Sequence, residues 1–245
     1  MLSESKFTNY LMYAVGEIVL VVIGILIALS INNWNDKKKN RAAETLYYNR
    51  ILEDFELDKK LIEGLVTQAN ARVDQSKTIL LELDSGTKNK NYLINQFLIA
   101  IRSENYVPRN VTFKDLTSSG NLKLLTDTTL KNSLIQYYSD LENIQSQMKQ
   151  NRDERIKETF ELINSSVGFG AQEFDYVRKI LGPEIMKILP QDDWINDKNS
   201  ESYQNFQRVL LFNISMAERE KQHLSKINRL MEDPYQALVV KCAGS

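Results

Sequence analysis

Residues 11–31 read LMYAVGEIVLVVIGILIALSI, 21 residues that carry a single charge, Glu17. At helical rise that stretch is roughly 31 Å long, against a bilayer hydrocarbon core of about 30 Å. It is therefore expected to cross a membrane as one helix. Tyr10 and Tyr13 near one end and Trp34 beyond the other sit where amphipathic rings prefer the headgroup layer. A cleaved signal peptide is the competing reading. It needs a basic start, a short apolar core and a small-x-small exit, whereas Asn32-Asn33-Trp34-Asn35 follows here. The anchor is expected to stay uncleaved, with residues 1–10 as a short flank.

Inside the span, Gly24 and Ala28 form a small-xxx-small pair, and Glu17 lies seven residues before Gly24 on the same face. This face suits self-association or contact with another membrane protein. Two other readings of Glu17 stand beside that one: snorkelling into the headgroups, and a proton relay, which would need a second polar group. One basic residue, Lys6, precedes the span, while Lys37, Lys38, Lys39 and Arg41 follow it. The positive-inside rule then puts the large C-terminal part in the cytoplasm, and the same four residues can touch anionic headgroups.

Outward from the span the helical pattern resumes at once. Tyr48, Ile51, Phe55, Ile62, Val66, Ala69, Val73, Leu80 and Leu83 describe one stripe, closed by Ser85-Gly86. The membrane helix is thus expected to continue into a long amphipathic helix. A shorter helix is expected over 91–104, then a break at Pro108. Residues 110–125, NVTFKDLTSSGNLKLL, read as the most distinctive non-helical stretch. Thr126 is expected to cap a helix whose stripe runs Leu130, Leu134, Tyr138, Leu141, Ile144, Met148, Ile156, Phe160 and Ile163, closed by Gly168 and Gly170. Residues 171–199 read as a short connecting helix and loop. A last helix is expected over 201–232, stopped by Pro234, with 234–245 as a tail. The fold class is all-α: a transmembrane helix running on into an antiparallel helical bundle over 32–233.

Composition narrows the function. With 42% hydrophobic residues the chain can bury a core, and only 9 Gly and 4 Pro disfavour turn-rich all-β architectures. Lys+Arg 31 against Asp+Glu 32 gives a net charge of -1, so no nucleic-acid partner is expected. A single cysteine, Cys242, and a single histidine, His223, exclude an intramolecular disulfide, a zinc finger and most hydrolase triads. Glu220 and His223 have the Glu-x-x-His spacing of di-iron bundles, but the second such pair is missing, so no metal or other cofactor is expected. Glu53, Asp54, Glu56 and Asp58 read as a solvated acidic face. Ser118, Ser119, Gly120 and Asn121 could form an anion-binding nest or a turn whose hydroxyls cap neighbouring helices.

The runs YLMYAVGEIVLVVIGILIALSINNWND (10–36), TFKDLTSSGNLKLLTD (112–127) and QYYSDLE (136–142) resemble an uncharacterised family of small single-pass membrane proteins found in flavobacteria and other Bacteroidota. The resemblance implies a bacterial inner-membrane protein with a helical soluble domain, and it brings no known activity. Members of that family often start with a longer basic segment, which would place the soluble domain on the periplasmic side. With no catalytic motif in the chain, the expectation is a non-enzymatic, membrane-anchored interaction or scaffold protein. The alternative is a sensor whose bundle binds a small ligand near the Ser119-Gly120 loop and signals through a partner.

Overall fold

A computed structural model describes residues 4–165, 169–190 and 192–244. Six α-helices follow in chain order: α1 Glu4–Ser85, α2 Lys90–Ala100, α3 Val111–Ser118, α4 Thr128–Ser165, α5 Asp175–Ile188 and α6 Glu201–Ala243. Short 3-10 turns lie at Asn121–Leu124, Ala171–Glu173 and Trp194–Asn196, and the described residues contain no strand. The expected closure of α4 at Gly168 and the side chain of Ile163 fall outside the described residues.

Helix α1 is 82 residues long, about 123 Å at ideal rise. Its 11–31 stretch, the candidate span, is long and apolar enough to cross a membrane, and none of it is buried against the other described residues. Burial begins at Tyr48. From there Ile51, Phe55, Asp58, Ile62, Leu65, Ala69, Arg72, Ser76, Ile79 and Leu83 are enclosed at alternating four- and three-residue steps, with Val73 enclosed beside Arg72. That 3.5-residue period keeps one seam of α1 against its neighbours. The true seam therefore drifts from the sequence stripe, because Leu65 and Ile79 are enclosed where Val66 and Leu80 were expected, and those two are half-buried.

Four legs pack side by side, alternately leaving and approaching the span. The first is the C-terminal part of α1, which ends where Gly86 takes a left-handed φ of 64°. The second returns as α2, an extended segment from about 102 to 110, and α3. Its course along α1 is marked by Tyr92 to Glu82, Gln96 to Gln75, Tyr106 to Asp58, and Asp115 to Tyr47. Helix α4 runs away from the span and α6 runs back, ending with Lys241 on Asp127 at 2.8 Å.

Several expectations are corrected. Residues 111–118 are helical, because Phe113 stacks on Tyr138 with ring centroids 4.0 Å apart and Leu116 is fully enclosed. Only Gly120, with φ 71°, interrupts the helical turns there. Asp127 caps α4 by accepting from the Leu130 N–H at 3.0 Å, whereas Thr126 gives its N–H and its hydroxyl to Glu44. The second half of the α4 stripe slips by one position: Arg155, Thr159 and Leu162 are enclosed, while Ile156 and Phe160 are 43% and 59% exposed. Helix α2 ends at Ala100, short of 104. Pro234 does not stop α6, and no tail begins there. The helix runs to Ala243, because Pro234 and Leu238 are buried in the core near the span, and that burial outweighs the backbone bond a proline forfeits.

The interior holds two apolar clusters. The one nearer the span gathers Phe55, Leu116, Tyr138, Leu224 and Met231, among others. The far one gathers Ile79, Phe97, Phe169, Trp194 and Phe206. Between them α1, α4 and α6 contribute Arg72, Ser76, Arg155, Thr159 and Asn213, all buried. At the far end α5 is kinked at Gly182, φ 72°, and encloses none of its residues.

Candidate functional site

The polar layer exists because the second leg stops being helical within it. Once α2 ends, the extended chain has no ladder of its own, so its buried backbone groups need side-chain partners. Asn213 Nδ2 donates to the Ala100 carbonyl at 3.1 Å and to Ser76 Oγ at 3.0 Å. Arg155 Nη1 donates to the Ile101 carbonyl at 2.7 Å, and its Nη2 donates to Ser103 Oγ. Further along, the Arg109 N–H donates to Asp58 Oδ1 at 3.0 Å and the Tyr106 hydroxyl to Asp58 Oδ2 at 3.2 Å. Three legs thus reach in to hold the fourth.

An extended chain is thinner than a helix, and the space it leaves is a cleft of about 520 Å³ between the 103–107 segment, α4 and α6. Volumes of this size are ordinary for small-molecule sites. Arg155 lines the inner end together with Ser103, Asn151, Met216, Glu220 and His223. Glu104, Glu142, Lys149 and Arg152 line the cleft nearer its mouth, where Lys149 bonds Asp153 at 2.9 Å. Glu220 is turned away to Arg72, 2.5 Å distant, so its charge is already matched. Asn151 Nδ2 and His223 Nε2 are 3.2 Å apart. Burial first, then Lys226 and Arg219, hold the imidazole below its usual range, which favours the neutral ring as acceptor from Asn151.

Arg155 is the electrostatic anomaly of the layer. Burial and then the nearby Arg72 depress its pKa, while Glu220 acts in the opposite direction. Both its side-chain partners are neutral oxygens, and no carboxylate lies within 4.0 Å of it among the described residues. Asp58, by contrast, is pushed up by burial and pulled back by the Arg109 N–H and the Tyr106 hydroxyl. Burial also raises Tyr106, Tyr137 and Tyr138, so these phenols keep their protons.

Asp58 corrects the reading of the acidic run: Glu53 and Glu56 are solvated, but Asp58 is 1% exposed. Glu17, Gly24 and Ala28 lie exposed on the free part of α1, and a Cβ added at Gly24 would meet nothing within 4 Å. Lys37, Lys38, Lys39 and Arg41 are exposed just past the span, with Lys38 Nζ 5.7 Å from the Trp34 ring centre. In the Ser118–Asn121 loop, Ser118 and Ser119 both give their hydroxyls to the Asp115 carbonyl, at 3.3 and 2.6 Å. Asn121 Nδ2 donates to the Tyr47 hydroxyl at 3.0 Å, and that hydroxyl donates to Asp115 at 3.0 Å. The loop thus ties α3 to α1, and its side chains do not line the cleft.

Of the cleft residues the sequence singled out the Glu220–His223 pair, and Met148 as part of the α4 stripe. A signal was nonetheless present. Asp58, Arg72 and Ser76 occupy seam positions on α1, and Asn151 and Arg155 continue the three-four spacing of Leu141, Ile144 and Met148 on α4. Polar residues at apolar-periodic positions mark a buried polar layer.

Residues 17–168 match the model of a family of unknown function (DUF6090). No curated protein and no solved structure matches the chain.

Proposed function

We propose, from the premise that the chain belongs to the DUF6090 family of unknown function, that it is a single-pass inner-membrane protein of the bacterial envelope. Its bundle serves as an interaction module for another membrane protein or for a second copy of itself. The observation that carries this reading is the continuity of α1: the apolar stretch and the seam of the bundle are one uninterrupted helix. A span joined in this way holds the bundle at a set distance and orientation from the bilayer, as a flexible linker would not. The matched region covers the span from Glu17 onward, the seam of α1, the broken leg and α4, which is the part of the molecule this reading needs. Charge bias favours a cytoplasmic bundle. Capture from detergent-extracted membranes after in-cell crosslinking tests the reading. A reproducible partner or self-crosslink supports it, and recovery of monomer alone overturns it.

The cleft favours a second reading, in which the bundle senses a small ligand and passes a change along α1 to the span. It opens where the second leg is held by side chains rather than by its own hydrogen-bond ladder, so an occupant there acts on the least regular part of the bundle. The ligand site of this reading is the cleft, not the Ser119-Gly120 loop.

A further inference from the structure

The geometry points to the cleft as a binding site for a small monocarboxylate, an organic acid with one carboxylate and a compact apolar body. This inference rests on the sensor reading for its biological purpose but not for its chemistry. At the inner end Arg155 is 9% exposed, and its guanidinium carries five N–H donors and has only neutral oxygens as hydrogen-bond partners. Among the described residues its neighbour Arg72 holds Glu220 in direct contact, and that carboxylate reaches Arg155 only at longer range. Two buried guanidinium groups and one carboxylate leave this layer with one positive charge in excess. A buried charge without a counter-ion is unfavourable, since burial strips its hydration. An anion entering the cleft removes that cost and gains charge-assisted hydrogen bonds.

The remaining walls choose among anions. Met148, Met216 and Tyr106 offer an apolar, adaptable surface for a short hydrocarbon or a single ring. Ser103, Gln145 and the Asn151–His223 pair add neutral polar groups beside it. Arg152, one turn before Arg155, and Lys149 share Asp153, at 3.5 and 2.9 Å, so together they bring one positive charge in excess to the path inward. Glu104 and Glu142 are exposed on the same lining, and they repel any ligand that carries a second negative group towards the mouth. A dicarboxylate or a doubly charged phosphate is disfavoured by that geometry, whereas one carboxylate seated against Arg155 is not.

The chain contains its own reporters. Of its six methionines, Met148 and Met216 line the cleft, and His223 is its single histidine. The full-length protein in lipid nanodiscs, labelled at methionine methyls and at the imidazole, is titrated separately with hexanoate, benzoate, benzamide, succinate and inorganic phosphate. Hexanoate or benzoate is expected to shift the Met148, Met216 and His223 signals in a saturable way while the other methionines stay in place. Benzamide, which keeps the ring and loses the charge, is expected to leave them unmoved, and succinate and phosphate to bind at least about tenfold more weakly than the monoacid. Arg152→Gln, at the path inward and outside the backbone-holding contacts, should weaken the monoacid about tenfold without altering the unliganded spectrum. Absence of saturable shifts with both monoacids, or equal shifts with benzamide, overturns the assignment. Tighter binding of phosphate or succinate overturns the monocarboxylate class. Saturable binding with no change in crosslinking through the span leaves this site standing and sinks the sensor reading.

Discussion

The Arg155 guanidinium on α4 donates to the carbonyl of Ile101 at 2.7 Å, at the residue where the second leg leaves its helix. A carbonyl freed by the end of a helix is ordinarily met by solvent or by a capping residue nearby in sequence. Here the partner is 54 residues away, and it brings a charge into the bundle. One contact thus accounts for three features: the leg can be extended, the interior splits into two apolar clusters, and a cleft lies beside the break.

Arg155→Leu should therefore cost about 2–3 kcal/mol, because it orphans the Ile101 carbonyl while adding little packing at a polar site. Arg155→Lys keeps a donor and a charge, and should lose less. Urea unfolding of residues 40–245 checks the order. Equal stability of wild type and Arg155→Leu would show that the contact holds nothing.

Asp58 gives the bundle a pH dependence of defined sign. Burial raises its folded pKa above the ordinary carboxylate value, so the folded state holds the proton more tightly than the unfolded chain. Its contribution is full below the unfolded pKa, near 3.9, and is lost as pH rises through the folded pKa. His223 works the other way: with its folded pKa lowered, stability falls as pH drops below about 6.5. The difference between wild type and Asp58→Asn isolates the first effect. Stability of the wild type should decline relative to the amide variant from about pH 4 upward, read from urea midpoints. Asp58→Ala, which strands the Arg109 N–H and the Tyr106 hydroxyl, should cost about 2 kcal/mol or more at any pH.

Two glycines should respond in opposite directions to the same added methyl group. Gly64 is exposed within α1 and Gly120 holds a φ of 71°, and an added Cβ meets nothing within 4 Å at either. Gly64→Ala should stabilise by roughly 0.5–1 kcal/mol by restricting the unfolded chain. Gly120→Ala should destabilise by about 1 kcal/mol, since an L-residue strains in the left-handed region. Thermal melts of the two variants on opposite sides of wild type are the expected result.

The long helices were legible because each must bury a stripe, and a stripe repeats. Their details were not. On α1 the adjacent apolar pairs Leu65-Val66 and Ile79-Leu80 left the register open, and the stripe drawn through Val66 and Leu80 missed that packing encloses Leu65 and Ile79 instead. On α4 the apolar Ile156 and Phe160 drew the stripe away from Arg155 and Thr159, which are enclosed because of what they bond rather than what they repel. Pro234 read as a stop because proline forfeits a hydrogen bond, and the compensating burial of Leu238 is tertiary. The cleft was illegible for the same reason: it is made by the break of one leg and by side chains drawn from α4 and α6, and no local pattern encodes that meeting.

The span carries the last prediction. Glu17, Gly24 and Ala28 differ by seven and four positions, so at 100° per residue they fall within about 60° of one another. All three are exposed on α1, and a Cβ added at Gly24 meets nothing within 4 Å among the described residues. Association through it would bring two backbones close at the small residues and put the acid beside a partner, where a hydrogen bond satisfies it. Gly24→Ile should then abolish crosslinking between spans in intact membranes. Gly16→Ile, about 80° away from Gly24 around the helix, should do much less. Glu17→Gln should keep association, because interhelical polar bonds contribute only about 0.6 to 2 kcal/mol and a neutral amide can make one. Crosslinking unchanged in Gly24→Ile would mean that this face meets lipid, leaving Glu17 to reach the headgroups with its own side chain.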